Sequence, residues 1–137
     1  MMVVVDASTL IAATCDDGPE GAWAEALLET GDLVAPHLVL VEAANVLRRL
    51  EQSKHLTRLE ASVAHEDLLR LDIELLPYEP FADRVWELRV NLTSYDAWYV
   101  AVAEMTDLPL ATLDHKLARS SGPECQFLTP ATDGARR

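Results

Sequence analysis

The sequence predicts an α/β fold: a three-layer α/β/α sandwich built on a mostly parallel sheet of four to five strands. Three observations predict it. Val3-Val4-Val5 is an unbroken β-branched run, the pattern of a strand buried on both faces of a parallel sheet. Short apolar segments alternate with helical stretches along the chain, which implies parallel pairing through right-handed crossovers. At 137 residues, half of them hydrophobic, the chain is about one domain long and can bury a core. A single domain over residues 1–129 and a loose tail over 130–137 are expected.

The first strand stops at Asp6. Ala7 to Thr14 then reads as a short helix that Asp6 or Ser8 caps. Asp16-Asp17-Gly18-Pro19 is a turn, and Glu20 to Glu29 an amphipathic helix with Trp23, Leu27 and Leu28 on its apolar side, closed by Gly31. Leu33-Val34-Ala35 is the second strand, ended by Pro36. Leu38 to Gln52 forms a helix whose many apolar positions, Val41, Val46 and Leu47 among them, imply extensive burial. Thr57 and Glu60 stand at capping-box spacing at the start of a helix that runs to about Leu71. Asp72 to Leu76 is the third strand, Phe81 to Leu92 a helix, and Thr93 or Ser94 opens another that ends near Thr106. Leu108 to Thr112 is the fourth strand, with Pro109 at its start, where a missing N–H costs least. Asp114 to Ser120 is a short helix and Cys125 to Leu128 a fifth strand.

Composition narrows the function. No apolar run approaches the ~18 residues of a membrane span, and the N-terminus lacks a basic leader, so a cytoplasmic protein with no membrane association is expected. Cys15 and Cys125, the two cysteines, have no ligand-like spacing and read as reduced thiols. The net charge of −12 is the wrong sign for simple capture of nucleic acid. A nuclease would need a bound divalent ion to cancel part of it, or a clustering of Arg48, Arg49, Arg84, Arg89, Lys116 and Arg119. The five glycines form no phosphate-binding loop, and Asp6-Ala7-Ser8 lacks the Asp-x-Asp of aspartyl phosphatases.

Four acids remain. Asp6 ends the first strand, and Asp114 follows the fourth and opens a helix. Asp96 lies three residues after Thr93, where alone it reads as a capping residue. Glu42 sits inside a helix among Leu and Val. It belongs either to a polar stripe with Asn45 and Arg49 or to an inward-facing carboxylate. All four fall where the carboxyl ends of parallel strands meet the following helices, the usual ligand crevice of such sheets. Carboxylates gathered there repel one another, and a hard divalent ion relieves the conflict. Ser8 and Thr112, two residues from Asp6 and Asp114, are placed to orient metal-bound water.

The same residues carry a family resemblance. Val3-Val-Val-Asp6-Ala-Ser8, then Pro36-His-Leu-Val-Leu-Val-Glu42-Ala-Ala-Asn45, Tyr95-Asp96-Ala-Trp-Tyr-Val-Ala-Val-Ala-Glu104, and Leu110-Ala-Thr112-Leu-Asp114-His-Lys-Leu117 together resemble the four motifs of PIN-domain ribonucleases, specifically VapC-type toxins. The resemblance runs from residue 2 to about residue 128. It implies a Mg²⁺-dependent endoribonuclease, with Mn²⁺ as the alternative ion. Asp6, Glu42, Asp96 and Asp114 would form its site, supported by Ser8, Thr112 and Asn45. It also implies a homodimer, an RNA substrate and inhibition by a cognate VapB-type antitoxin. One departure stands out: family members often have Ser or Thr before the glutamate, and here that residue is Val41. The competing reading is a non-catalytic interaction module on the same scaffold, its acidic surface binding a basic protein.

Overall fold

The valine run forms β1 (Met2–Val5), with Val3, Val4 and Val5 completely buried. In this computed structural model, which describes residues 1–131, four more strands join it. They are β2 (Asp32–Pro36), β3 (Ile73–Leu76), β4 (Leu110–Ala111) and β5 (Phe127–Leu128). The sheet order is β3-β2-β1-β4-β5, and every pairing is parallel. Around it lie α1 (Ala7–Cys15), α2 (Pro19–Thr30), α3 (Val39–Gln52), α4 (Arg58–Leu69), α5 (Ala82–Leu88), α6 (Ser94–Thr106) and α7 (His115–Ala118).

From β1 through β2 to β3 the chain moves one way across the sheet, and from there to β4 and β5 it moves back. With right-handed crossovers, that reversal sends α1–α4 to one face and α5–α7 to the other. The packing agrees: α1 lies against α2, α3 and α4, while α6 covers β1, β2 and β4 beside α5. Leu10, Val39, Leu47 and Leu68 from one layer and Val85, Val100 and Val102 from the other join the strand valines in one core cluster. Each such buried side chain contributes roughly 1.5–3 kcal/mol.

Local chemistry sets the helix ends. Thr57 Oγ1 accepts from the Glu60 N–H at 3.1 Å, and the Glu60 carboxylate accepts from the Thr57 N–H at 2.8 Å, completing the expected capping box. Gly31 does close α2, but for a different reason than a left-handed turn. Its φ is −102°, and an added Cβ would sit 2.9 Å from the Leu27 carbonyl oxygen and 3.1 Å from Val3 Cγ1. Close approach of the helix end to β1, rather than backbone freedom, requires glycine there. The stretch expected as one helix over 81–92 splits into a 3₁₀ turn (Glu79–Phe81), α5, and a turn that brings Thr93 into the extended conformation of an N-cap. Pro109 falls just outside β4, and its carbonyl accepts from the Val4 N–H at 2.9 Å, feeding the strand into register. A forked Arg84–Glu104 pair, at 2.6 and 3.1 Å, joins α5 to α6. The same two side chains bond the Gly122 carbonyl and the Glu124 N–H, which fixes the approach to β5. Among the described residues, no helix is long and apolar enough to cross a membrane. The tail expected over 130–137 lies, from residue 132 on, outside the described residues.

Candidate active site

The strand order has its reversal between β1 and β4, neighbours whose chains leave in opposite directions. In open parallel sheets the crevice beyond the carboxyl ends of two such strands is the ligand site. Asp6 directly follows β1, and Asp114 follows β4 after two residues. Glu42 is in the first turn of α3, just beyond β2, and Asp96 in the first turn of α6. The N-termini of α1, α3 and α6 all face this edge, and their partial positive charge favours carboxylates there.

Asp6 is 9% exposed and accepts hydrogen bonds at both oxygens. Oδ1 accepts from Ser8 Oγ at 2.6 Å and from the Thr9 N–H at 3.1 Å, so Asp6 also caps α1. Oδ2 accepts from Thr112 Oγ1. The two hydroxyls are themselves acceptors: Ser8 Oγ from the Leu113 N–H and Thr112 Oγ1 from the Asp114 N–H, each at 3.0 Å. The first and fourth motifs are thus cross-stitched through Asp6. Ser8 and Thr112, anticipated as orienters of water, both donate to this carboxylate. Thr9, completely buried, adds a bond from its hydroxyl to the Ala111 carbonyl at 3.0 Å.

Asp114 Oδ1 accepts from the Leu117 N–H at 3.0 Å and caps α7. Thr93 Oγ1 accepts from the Asp96 N–H at 3.2 Å. The capping roles read from the sequence therefore coexist with the cluster. Glu42 is half-buried, and its Oε1 accepts from the hydroxyl of Tyr99. Asn45 is exposed and its carbonyl oxygen accepts from Arg48, so it is not brought to the acids. Of the basic side chains, Arg84 is engaged with Glu104 and Arg89 lies over the Trp86 ring at 4.2 Å.

Burial pushes the Asp6 carboxyl above its ordinary value, partly offset by the bonds from Ser8, Thr112 and Thr9. Burial also raises Glu42; the Tyr99 bond opposes this, and the charges of Asp96 and Asp6 add to it. Asp96 is raised first by burial and then by the charges of Asp114 and Asp6. Glu42 and Asp96 therefore each sense neighbouring carboxylates across the crevice.

Among the described residues, no three His, Cys, Asp or Glu side chains converge closely enough to hold an ion directly. The donor set still fits one kind of ion. It is all oxygen and anionic, and Mg²⁺ keeps several waters while using only one or two carboxylates directly. Mutual repulsion supplies the demand for positive charge.

A parallel α/β protein with an acidic crevice at its switch point is the class that fold and geometry define. The PIN domain model matches residues 3–122, and the chain belongs to that family. It is 39% identical over 124 residues to Ribonuclease VapC9 of Mycobacterium tuberculosis, covering 90% of this chain and 94% of the relative. The structure is similar to FitAcB from Neisseria gonorrhoeae, with a TM-score of 0.69 at 20% identity over 94% of this chain and 98% of that one. It is also similar to VapBC-5 of Mycobacterium tuberculosis, a member of the VapBC family of toxin–antitoxin systems. There the TM-score is 0.58 at 22% identity, over 93% of this chain and 98% of that one.

Two functional candidates escaped the sequence reading, Thr9 and Tyr99. Each lies three residues after a site acid, Thr9 after Asp6 at the N-cap of α1 and Tyr99 after Asp96 within α6. That spacing puts a polar group on the acid's own face and was the available signal.

Proposed function

We propose that the protein is a metal-dependent endoribonuclease of the VapC type, a toxin that hydrolyses phosphodiester bonds of single-stranded RNA and is neutralised by a VapB-type antitoxin. The observation that carries this reading is the gathering of Asp6, Glu42, Asp96 and Asp114 at the β1/β4 switch point. The kinship with a relative named a ribonuclease supports it. Mg²⁺ is the ion that the hard oxygen donors favour, and Mn²⁺ would serve in its place. Such an ion, when bound, supplies a more acidic water and positive charge against a phosphate oxygen.

Asp6 and Asp96 are the principal ligands in this reading, and Asp114 completes the site through the ion's waters. Glu42 binds through water or takes the proton of the attacking water, a task suited to a carboxyl whose proton affinity burial has raised. Ser8, Thr9 and Thr112 hold Asp6 in one orientation, so no ordering is needed when substrate arrives. The whole activity sits on one domain, residues 1–129. The free thiols of Cys15 and Cys125 are in keeping with a cytoplasmic setting. A homodimer belongs to the same reading: Trp86 at 64% and Val90 at 80% exposure are apolar surface that a second chain would cover.

Purified, partner-free protein incubated with RNA and Mn²⁺ tests the activity. Discrete fragments that vanish with EDTA and in Asp96→Asn are the expected result. Full cleavage by Asp96→Asn would sink the assignment, and no cleavage by the wild type would favour the interaction module.

A further inference from the structure

Glu42 is the one site acid whose immediate sequence offers it nothing. Its helical neighbours at i−4, i−3 and i+4 are Leu38, Val39 and Val46, and Asn45 at i+3 is turned to Arg48. The preceding residue, Val41, has no hydroxyl and is 64% exposed. A glutamate on three rotatable bonds needs a partner to hold one orientation. The partner comes from 57 residues away: the hydroxyl of Tyr99, on α6, donates to Glu42 Oε1.

Tyr99 is 3% exposed and stands in a helix whose other buried residues are alanine and valine. Packing alone would be served by phenylalanine; the hydroxyl has Glu42 as its partner. Three residues separate Tyr99 from Asp96, so one face of α6 carries both a site carboxylate and the donor that holds another.

We propose that Tyr99 is the positioning residue for Glu42: its hydroxyl engages Oε1 and leaves Oε2 as the oxygen available to the ion and its waters. This rests on the metal-dependent nuclease reading above. Partners that orient a metal-site carboxylate typically change metal affinity or activity by roughly 10–100-fold when removed.

The test is Tyr99→Phe, which keeps the ring and deletes one oxygen. Calorimetric titration of the metal-free protein with Mn²⁺ should show affinity about tenfold weaker. Cleavage should fall in kcat with KM for RNA unchanged, because the buried phenol does not face solvent. In a Glu42→Gln background the further change on adding Tyr99→Phe should be under about twofold, since coupled residues are non-additive. Wild-type Mn²⁺ affinity in Tyr99→Phe, or a full additional loss in the double variant, would overturn the proposal. Should Tyr99→Phe fold poorly, Glu42→Asp keeps the charge but shortens the reach to Tyr99, and unaltered Mn²⁺ affinity there would overturn it equally. A wild type that binds Mn²⁺ without cutting RNA removes the nuclease assignment and leaves the titration arm valid.

Discussion

The two sides of the crevice are built differently. On the β1/β4 side, Asp6 is nearly buried and both its oxygens are taken by groups from residues 8, 9 and 112. On the α3/α6 side, half-buried Glu42 depends on a single phenol brought from another helix. A carboxylate held at both oxygens by several donors, near and far in the sequence, behaves as part of the scaffold. One held by a single long-range donor is tuned by whichever residue occupies that distant position. The first arrangement fixes where charge is concentrated, and the second decides how one oxygen is offered.

The comparison is broken most severely at its centre. Asp6→Asn should lower RNA cleavage by about a thousandfold, since metal stabilisation of developing charge is worth several kcal/mol; retained cleavage in a gel assay would mean that Asp6 is scaffold alone. Next comes Thr112→Val, which leaves Asp6 Oδ2 unpaired in a buried place. A loss of about 1–3 kcal/mol in urea unfolding and roughly 10–100-fold in activity is expected. If only stability falls, Thr112 serves the fold and not the reaction.

Proton linkage sharpens the contrast further. Asp6, Glu42 and Asp96 are all raised by burial, so their folded-state pKa values lie above the unfolded ones. The contribution of these three groups to the stability of the metal-free fold is then full below the ordinary carboxylate range and is lost as pH rises through the raised values. Thermal melts of metal-free protein should show Tm climbing as pH is lowered from neutrality towards the ordinary carboxylate range, with a flatter slope in Asp6→Asn. Mn²⁺ at about a hundred times its Kd should restore roughly 2.7 kcal/mol at the higher pH and less at the lower. The smallest effect belongs to Asn45→Ala, expected to change cleavage rates by less than about twofold because a surface side chain outside the crevice is removed. A larger change would bring Asn45 back among the supporting groups.

How far the sequence could be read follows from the range of each interaction. Asp6 and Asp114 were legible because a strand that ends on an acid places it at a sheet edge by geometry alone. The capping roles of Thr57 and Thr93 were legible because both partners lie within one turn. Parallel pairing showed in the alternation of elements, but the order β3-β2-β1-β4-β5, which creates the crevice, depends on which edge each crossover chooses. Tyr99 was missed because an apolar helical pattern absorbs a tyrosine without comment, and its acceptor is 57 residues away. Val41 looked like core within a run of Leu and Val, yet the helix turns it to the surface, and the hydrophobic period of α3 is carried by Val39, Ala43 and Leu47.

The stitching between Ser8 and Leu113, and between Thr112 and Asp6, spans most of the polypeptide. During synthesis Asp6 is among the first residues made, while its clasp is made near the end. A growing chain therefore carries its acids without the means to fix them, and competence arrives only when the carboxyl-terminal quarter has emerged and docked beside the first strand.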